Sequence, residues 1–215
     1  MRSHLWILWF GFAVALAGAC KKTQETPPSS TGSAGSATAA ASSPGVAADT
    51  DTTDHIVVLG HHKKRKPTDP VRIKFEKFKV VKASFDPKQV EGGTATIEID
   101  LASFRTDSDE RDDHLKSPAY LDVGKFATAT VDIDNVKKKA NNSYTADANV
   151  TAHGVTTKYP VTFDVIETTD DSIKIRGQHT FSRLDLGIGA DPAKDGEEQV
   201  GSDLTIQMVL TLKKT

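Results

Sequence analysis

The sequence predicts a mainly β domain, a single antiparallel barrel of about eight strands with one short helix. Apolar and polar residues alternate with a period of two along most of residues 52–215, which is typical of strands with one buried face. Only residues 107–117 interrupt this alternation, with a run of charged residues. Many antiparallel strands of this kind close most economically as a barrel or a sandwich, because closure removes exposed strand edges.

The N-terminal segment has the parts of an export signal. Arg2 supplies a positive charge, residues 5–16 form an apolar run, and small residues at 17–19 precede Cys20, as in secretory signals. The apolar run is shorter than the roughly 20 residues that a membrane-spanning helix needs. We therefore predict that residues 1–19 are a cleaved signal peptide.

Residues 16–20, LAGAC, resemble the lipobox of bacterial lipoproteins, in which the cysteine is acylated and becomes the new N-terminus. The resemblance implies that Cys20 is the lipid attachment site and anchors the chain on the periplasmic side of the cell envelope. Lys21 stands where many inner-membrane lipoproteins have Asp, which by resemblance favours the outer membrane. The alternative is an ordinary secretory signal with a chance cysteine.

The segment after Cys20 consists mainly of Thr, Ser, Ala, Gly and Pro and has almost no large apolar side chain. Such a segment cannot bury enough surface to offset the entropy lost on ordering. We predict a disordered linker over residues 20–51 and a single domain over residues 52–215.

The strands of this domain are predicted from the alternation. They cover residues 56–59, 73–85, 97–101, 131–133, 144–150, 161–165, 173–181 and 204–212. Residues 107–117, DSDERDDHLKS, begin with acidic residues, end with a basic one and precede Pro118. This charge order complements a helix dipole, and it predicts a short helix between strands.

Four segments together resemble the YceI-like family. They are RTDSDERDDHLKSPAYLDVGKFATATVDI (105–133), AHGVTTKYPVTFDV (152–165), FSRLDLGIG (181–189) and LTIQMVLTL (204–212). In the first segment, the positions that match the family pattern are Thr106, Arg111, Asp112, His114, Leu115, Leu121, Asp122 and Val123. The resemblance implies a lipocalin-like barrel, lined with apolar side chains, in a periplasmic protein that holds a long polyisoprenoid-type lipid.

Three positions depart from the family pattern. Leu121 replaces an aromatic residue, Ala127 replaces the usual Pro, and Leu186 replaces the Phe of an Arg-x-Asp-Phe segment. Aromatic residues make up only 7% of the chain. We therefore expect a more aliphatic lining, and the resemblance implies that the ligand is an isoprenoid, a quinone-like molecule or another amphiphilic lipid.

Two groups of residues are candidates for the site. The inward apolar positions either line a ligand tunnel or form a solid core: Ile97, Ile99, Val131, Ile133, Val161, Phe163, Val165, Phe181, Ile206, Met208 and Leu210. The polar candidates at the barrel mouth are Arg111, Asp112, His114, Arg183 and Asp185. These five either meet a lipid head group or form a structural network that closes one end of the barrel.

Other features argue against several functions. The formal net charge of −2 does not favour a nucleic-acid partner. The sequence has no nucleophile elbow, P-loop or dinucleotide fingerprint, so we expect neither an enzyme nor a cofactor. The histidines lie in different elements or are adjacent, as His61 and His62 are, so we expect no metal site.

Several alternatives stay open at this stage. The basic run at residues 61–66 is expected to be a solvated loop, with attraction to anionic lipid as the alternative. The same barrel, filled by side chains, would suit an envelope structural or protein-interaction module. An enzyme acting on a lipid-like substrate and a homodimer are further alternatives.

Overall fold

A computed structural model describes residues 50–63, 69–195 and 199–215. The predicted signal peptide, Cys20 and most of the predicted linker lie outside the described residues. Within the described residues, no helix is both long and apolar enough to cross a membrane.

Within the described residues, ten strands form one sheet, and every pair of neighbouring strands is antiparallel. The strands are β1 (His55–His62), β2 (Val71–Phe75), β3 (Phe78–Asp86), β4 (Gln89–Asp100), β5 (Phe104–Arg105), β6 (Thr128–Ala140), β7 (Ser143–Ala152), β8 (Val155–Thr168), β9 (Ser172–Ser182) and β10 (Val200–Lys213). Their order across the sheet is β3-β4-β6-β7-β8-β9-β10-β1-β2-β5.

The predicted fold is confirmed, although the sheet has ten strands instead of about eight. The strand predicted at residues 73–85 is two strands, because the chain bends at Glu76 and Lys77 and leaves β1 to pair with β4. Strand β5 has two residues, too few to produce an alternation. The sequence pattern therefore missed one break and one very short strand.

This bend also explains how the sheet curls. Only Glu76 and Lys77 separate β2 from β3 in the chain, yet these strands lie near opposite ends of the sheet order. The backbone N–H of Lys77 donates to the Ser103 hydroxyl at 3.0 Å, in a short 3-10 helix, Leu101–Ser103. The two sides of the sheet thus meet at this point, and the sheet forms a half-barrel.

The predicted helix is present as α1, Asp109–Lys116. Ser108 caps its N-terminus by accepting a hydrogen bond from the backbone N–H of Arg111, as N-cap serines do. Acidic residues occupy the first turn and Lys116 the last, which complements the helix dipole. Among the helical residues only Asp112 is buried, so caps and charges hold this helix more than apolar packing does.

The interior of the half-barrel is packed with side chains at one end. This end contains Ala83, Phe85, Val90, Val136, Ala146, Phe163, Val165, Ile173, Ile175 and Leu212. The backbone N–H of Thr215 donates to the Ala83 carbonyl at 3.0 Å, which attaches the C-terminus to β3. At the opposite end, the inward side chains do not fill the interior, and a cavity remains.

Candidate ligand cavity

A cavity of about 800 Å³ occupies the half-barrel between the packed end and α1. This volume lies within the range of small-molecule sites, which are about 300–1,000 Å³. The cavity reaches the protein surface beside α1, where the exposed Glu110 borders it. Towards the interior its wall consists of inward side chains from β1, β2, β4, β6, β7, β8, β9 and β10.

Nine of the eleven residues predicted as lining border the cavity. They are Ile97, Ile99, Val131, Ile133, Val161, Phe181, Ile206, Met208 and Leu210. Phe163 and Val165 do not border it. Both face inward as predicted, but they lie in the packed end, where Phe163 stacks on Tyr144 with 5.6 Å between ring centroids.

The wall of the cavity is mainly aliphatic. Apart from histidines, the aromatic residues that border it are Phe75, Tyr120, Tyr159 and Phe181. Small side chains on neighbouring strands, among them Ala129 and Ala148, leave the space open. An aliphatic wall of this kind suits a flexible apolar molecule, because burial of apolar surface requires no particular geometry.

The five residues predicted at the mouth do not form one cluster. Arg111 and His114, on α1, border the cavity. Arg111 forms an ion pair with Asp107, and the His114 ring packs edge-on against Tyr120 with centroids 5.0 Å apart. These two residues are placed to meet a molecule that enters the cavity.

Asp112, on the same helix, faces away from the cavity and is buried. Its Oδ1 accepts hydrogen bonds from the Thr106 backbone N–H at 2.8 Å and the Thr106 hydroxyl at 2.7 Å. Burial acts to raise the pKa of this carboxyl, but the hydrogen bonds from Thr106 and Arg105 outweigh it and hold the pKa below its ordinary value. Asp112 therefore does not border the cavity, and its contacts fit the structural alternative, because its carboxylate attaches α1 to the preceding loop.

Arg183 borders the cavity but is only 1% exposed. Its guanidinium donates hydrogen bonds to the backbone carbonyls of Gly201, Ile188, Ala190 and Val200 at 2.6 to 3.0 Å. It belongs to the second short 3-10 helix, Arg183–Leu186. This network fixes the chain on both sides of the segment that leads to β10, so the structural interpretation of Arg183 fits its contacts.

Two further details of this region follow from the Arg183 network. Gly189 has a φ of +69°, and a Cβ at this residue would lie 2.5 Å from Arg183 Nη1, so the close approach requires glycine. Asp185 is exposed and does not border the cavity. Asp185 therefore does not line the space in which a ligand would lie, although its negative charge acts on Tyr159 from outside the cavity.

The sequence analysis missed Tyr159 as a site residue and considered His179 only as a metal ligand. Both border the cavity, with 5.4 Å between their ring centroids. Burial lowers the pKa of His179. Burial, followed by the negative charge of Asp185, raises the pKa of Tyr159. The signal was present in the alternation, since each residue is two positions from a predicted lining residue on the same strand and shares its face.

His61 and His62 border the cavity at its mouth and complete β1. The expectation that they lie in a loop is therefore wrong, because β1 continues through both residues, and residues 64–66 of the same basic run lie outside the described residues. Among the described residues, His, Cys, Asp and Glu side chains do not gather in a group of three that could hold a metal ion.

The family model of the YceI-like domain matches residues 48–212, most of the chain. The chain belongs to the YceI-like domain family. The resemblance seen in the four sequence segments is thereby confirmed. The match covers every strand that borders the cavity.

Curated relatives of this YceI-like chain include UPF0312 proteins. One from Yersinia enterocolitica is 41% identical over 81 residues, which are 38% of this chain and 41% of the relative. One from Vibrio campbellii is 32% identical over 81 residues, 38% of this chain and 42% of the relative. The match thus spans about two fifths of the length of these relatives.

Solved structures share the fold of this YceI-like domain. Burkholderia cenocepacia BcnA matches with a TM-score of 0.65 and 20% identity, covering 74% of this chain and 96% of that one. A polyisoprenoid binding domain from Saccharophagus degradans, implicated in plant cell wall breakdown, matches with a TM-score of 0.59 and 14% identity, covering 76% and 95%. At these identities the likeness establishes the fold.

Proposed function

We propose that this protein is an extracytoplasmic lipid-binding lipoprotein that sequesters or carries an isoprenoid-type or similar amphiphile in its cavity. The observation that carries the proposal is the continuous cavity of about 800 Å³ with a mainly aliphatic wall. The polyisoprenoid binding described for the Saccharophagus domain of the same fold adds support.

The physical basis is the transfer of an apolar tail from water to this wall. Each buried CH₂ group contributes about 0.8 kcal/mol, so a tail of several isoprene units needs few polar contacts. An apolar tail would fill the interior, and its polar end group would be held by side chains that border the same space. Binding by this mechanism requires an open interior, and a barrel filled by side chains would not provide it.

The cavity also supports binding over the alternative functions. A structural or interaction module needs no internal space, whereas this half-barrel keeps one open beside a fully packed end. For an enzyme, His179 is the internal candidate, but no described residue forms a hydrogen bond or ion pair with its ring. Because a catalytic histidine is normally oriented by a partner, we propose binding and not catalysis.

The ligand can be tested on the full chain with a matched variant. Ala148 borders the cavity, and its neighbours across the strands are Ile133 and Tyr159. Ala148→Trp should therefore fill part of the cavity. Both proteins would be purified from a bacterial envelope by the same procedure, and their extracted lipids compared by mass spectrometry.

We expect one class of long-chain amphiphile to be enriched in the wild type and depleted in Ala148→Trp. Both proteins carry the same N-terminal modification and the same detergent background, so these cancel in the comparison. Circular dichroism would verify that the variant folds. Equal lipid content in two folded proteins would count against the proposal.

The membrane anchor is tested separately through Cys20. Wild type and Cys20→Ser would be expressed with an alkyne-labelled fatty acid, and membranes would be separated on a density gradient. We expect label on the wild type alone and its recovery with the outer membrane. Label on neither protein would reject acylation of Cys20, while leaving the binding function of the cavity untouched.

A further inference from the structure

The cavity wall contains one polar pair at a depth where its neighbours are apolar. Tyr159 on β8 and His179 on β9 border the cavity between the mouth and the packed end. Val161 and Phe181, their inward neighbours along the strands, are apolar. Two polar side chains at inward positions require an explanation, because a polar group without a partner is costly in such surroundings.

Among the described residues, neither side chain has a hydrogen-bond partner, and the Tyr159 hydroxyl is also fully buried. The Asp185 carboxylate and the Thr157 hydroxyl lie near enough to act on its pKa, but neither makes a hydrogen bond of ordinary length and angle with it. Burial favours neutral His179, which has one donor and one acceptor nitrogen.

The backbone around the pair is unusual as well. The hydrogen-bonded ladder between β8 and β9 runs from Thr168–Ile173 to Phe163–Gly177 and stops there. Both strands nevertheless continue towards the mouth, where β8 remains paired with β7 and β9 with β10. The rings of Tyr159, His179 and Phe181 lie together on the inward face beside this unpaired stretch, and the His179 and Phe181 centroids are 5.4 and 5.8 Å from that of Tyr159.

We infer that Tyr159 and His179 form an internal polar site that binds a neutral oxygen-bearing group, a carbonyl or a hydroxyl, of the bound amphiphile. This inference rests on the proposed lipid-binding function and specifies the ligand class. A phenol donates to such an oxygen, and the imidazole either donates to it or accepts from a hydroxyl. The apolar tail then extends along the aliphatic wall.

The charges near the pair favour a neutral group over a phosphate. The guanidinium of Arg183 is engaged by four backbone carbonyls, and Arg111 lies on α1 at the mouth in an ion pair with Asp107. Asp185, the charged group that acts on Tyr159, is negative. An anionic head group at this depth would contact a neutral imidazole. The nearby negative charge of Asp185, which does not itself border the cavity, would also disfavour it.

The test uses probes that share one tail and differ only in the end group. These are geranylgeraniol, a geranylgeranyl naphthoquinone, geranylgeranyl monophosphate and the hydrocarbon that lacks an end group. Affinity for the full chain would be measured by displacement of diphenylhexatriene, a fluorescent hydrocarbon that cannot form hydrogen bonds. Ala148→Trp provides the background signal from the rest of the protein.

The variants are Tyr159→Phe and His179→Leu, with Tyr144→Phe as the matched control. Tyr144→Phe removes a hydroxyl from the packed end, where Tyr144 stacks on Phe163 outside the cavity. We expect Tyr159→Phe and His179→Leu each to weaken binding of the alcohol or the quinone about fivefold, as the loss of one hydrogen bond does. Hydrocarbon binding should stay unchanged, and Tyr144→Phe should change nothing.

The two neutral probes distinguish the sources of the oxygen. A loss confined to the quinone assigns a carbonyl, and a loss confined to the alcohol assigns a hydroxyl. Tyr159→Phe should also leave the urea midpoint of the ligand-free protein unchanged, because its hydroxyl has no partner to lose. If the hydroxyl instead stabilised the fold, Tyr159→Phe would lower that midpoint.

Other results would overturn the inference. Equal affinity of all four probes for the wild type would mean that the tail alone is recognised. A preference for the monophosphate that disappears in Arg111→Met would place the head group at the mouth. If no probe displaces diphenylhexatriene, the proposed lipid-binding function itself fails.

Discussion

Asp112 is a charged residue with a structural role, although its position in the sequence made it a candidate for the ligand site. Its carboxylate accepts two hydrogen bonds from Thr106 and lies 3.4 Å from Arg105. A buried carboxylate is tolerated when its oxygens are satisfied in this way. The residue therefore joins α1 to the preceding loop at Thr106 and to Arg105 at the end of β5.

Replacing Asp112 should destabilise the protein. We expect Asp112→Ala to lower the free energy of unfolding by about 2 kcal/mol, because two Thr106 donors lose their acceptor. Asp112→Asn keeps an acceptor oxygen and should cost less. Urea unfolding measures both, and equal stability of Asp112→Ala and wild type would contradict this role.

The same residue predicts a pH dependence. Its folded-state pKa is lowered from the ordinary value of 3.8, so the ionised carboxylate stabilises the fold above that value, and the contribution is lost as the pH falls through the lowered pKa. We expect the stability difference between wild type and Asp112→Asn to shrink over this acidic range. A constant difference down to the lowest pH at which both proteins fold would exclude this linkage.

Arg183 should be more sensitive to substitution than any exposed arginine. Arg183→Met leaves four carbonyls without their donor, for which we expect a loss of about 3 kcal/mol or more. Arg183→Lys should not rescue it, because an ammonium group cannot reproduce the planar fork of donors. The matched control is Arg72→Met on β2, where the side chain is exposed. Thermal unfolding of each variant measures the loss, and the unfolding temperature of Arg72→Met should be nearly that of the wild type.

At the scale of elements, α1 differs from the strands around it. It is short, borders the mouth, and buries little apart from Asp112. Segments with few buried apolar contacts open locally at lower free energy than core strands. We therefore expect α1 to open locally while the sheet stays intact.

The cap of α1 provides a test of this independence. Ser108→Ala removes the acceptor for the Arg111 N–H, which should cost about 1 kcal/mol. We expect about a fivefold faster hydrogen exchange of α1 amides, with strand amides unchanged. The control is Ser143→Ala at the start of β7, and a rise that extends to the strands would show that α1 does not open by itself.

The elements also show how far the sequence determined the fold. Alternation located the strands, and charge order located α1, because both patterns are local. The break between β2 and β3 and the two-residue β5 depend on Ser103 and on pairing between distant segments. Such contacts leave no periodic trace in the sequence.

At the scale of the whole molecule, one inward face serves two purposes. The same alternation of apolar residues produces a packed end near Phe163 and a hollow region near Phe181. The sequence predicted the inward face but not this boundary, because a core and a lining use the same residue types. Which end is hollow depends on side-chain volumes summed across strands, for example at Ala129 and Ala148.

The two phenylalanines should therefore respond in opposite ways to the same change. Phe163 is 6% exposed within the packed end, so Phe163→Ala creates a new void and should cost about 3–5 kcal/mol. Phe181 already faces open space, so Phe181→Ala should cost about half as much while it enlarges the cavity. For binding, we expect the order to reverse, because of these two residues only Phe181 borders the cavity.

We expect Phe181→Ala to weaken displacement of diphenylhexatriene by the hydrocarbon probe several-fold, and Phe163→Ala to leave that affinity unchanged under conditions in which it remains folded. Urea unfolding and displacement, measured on the same two proteins, separate stability from binding. If both substitutions changed both quantities in parallel, the packed end and the cavity would form a single core. Opposite rankings would show that the boundary between them lies within β8 and β9.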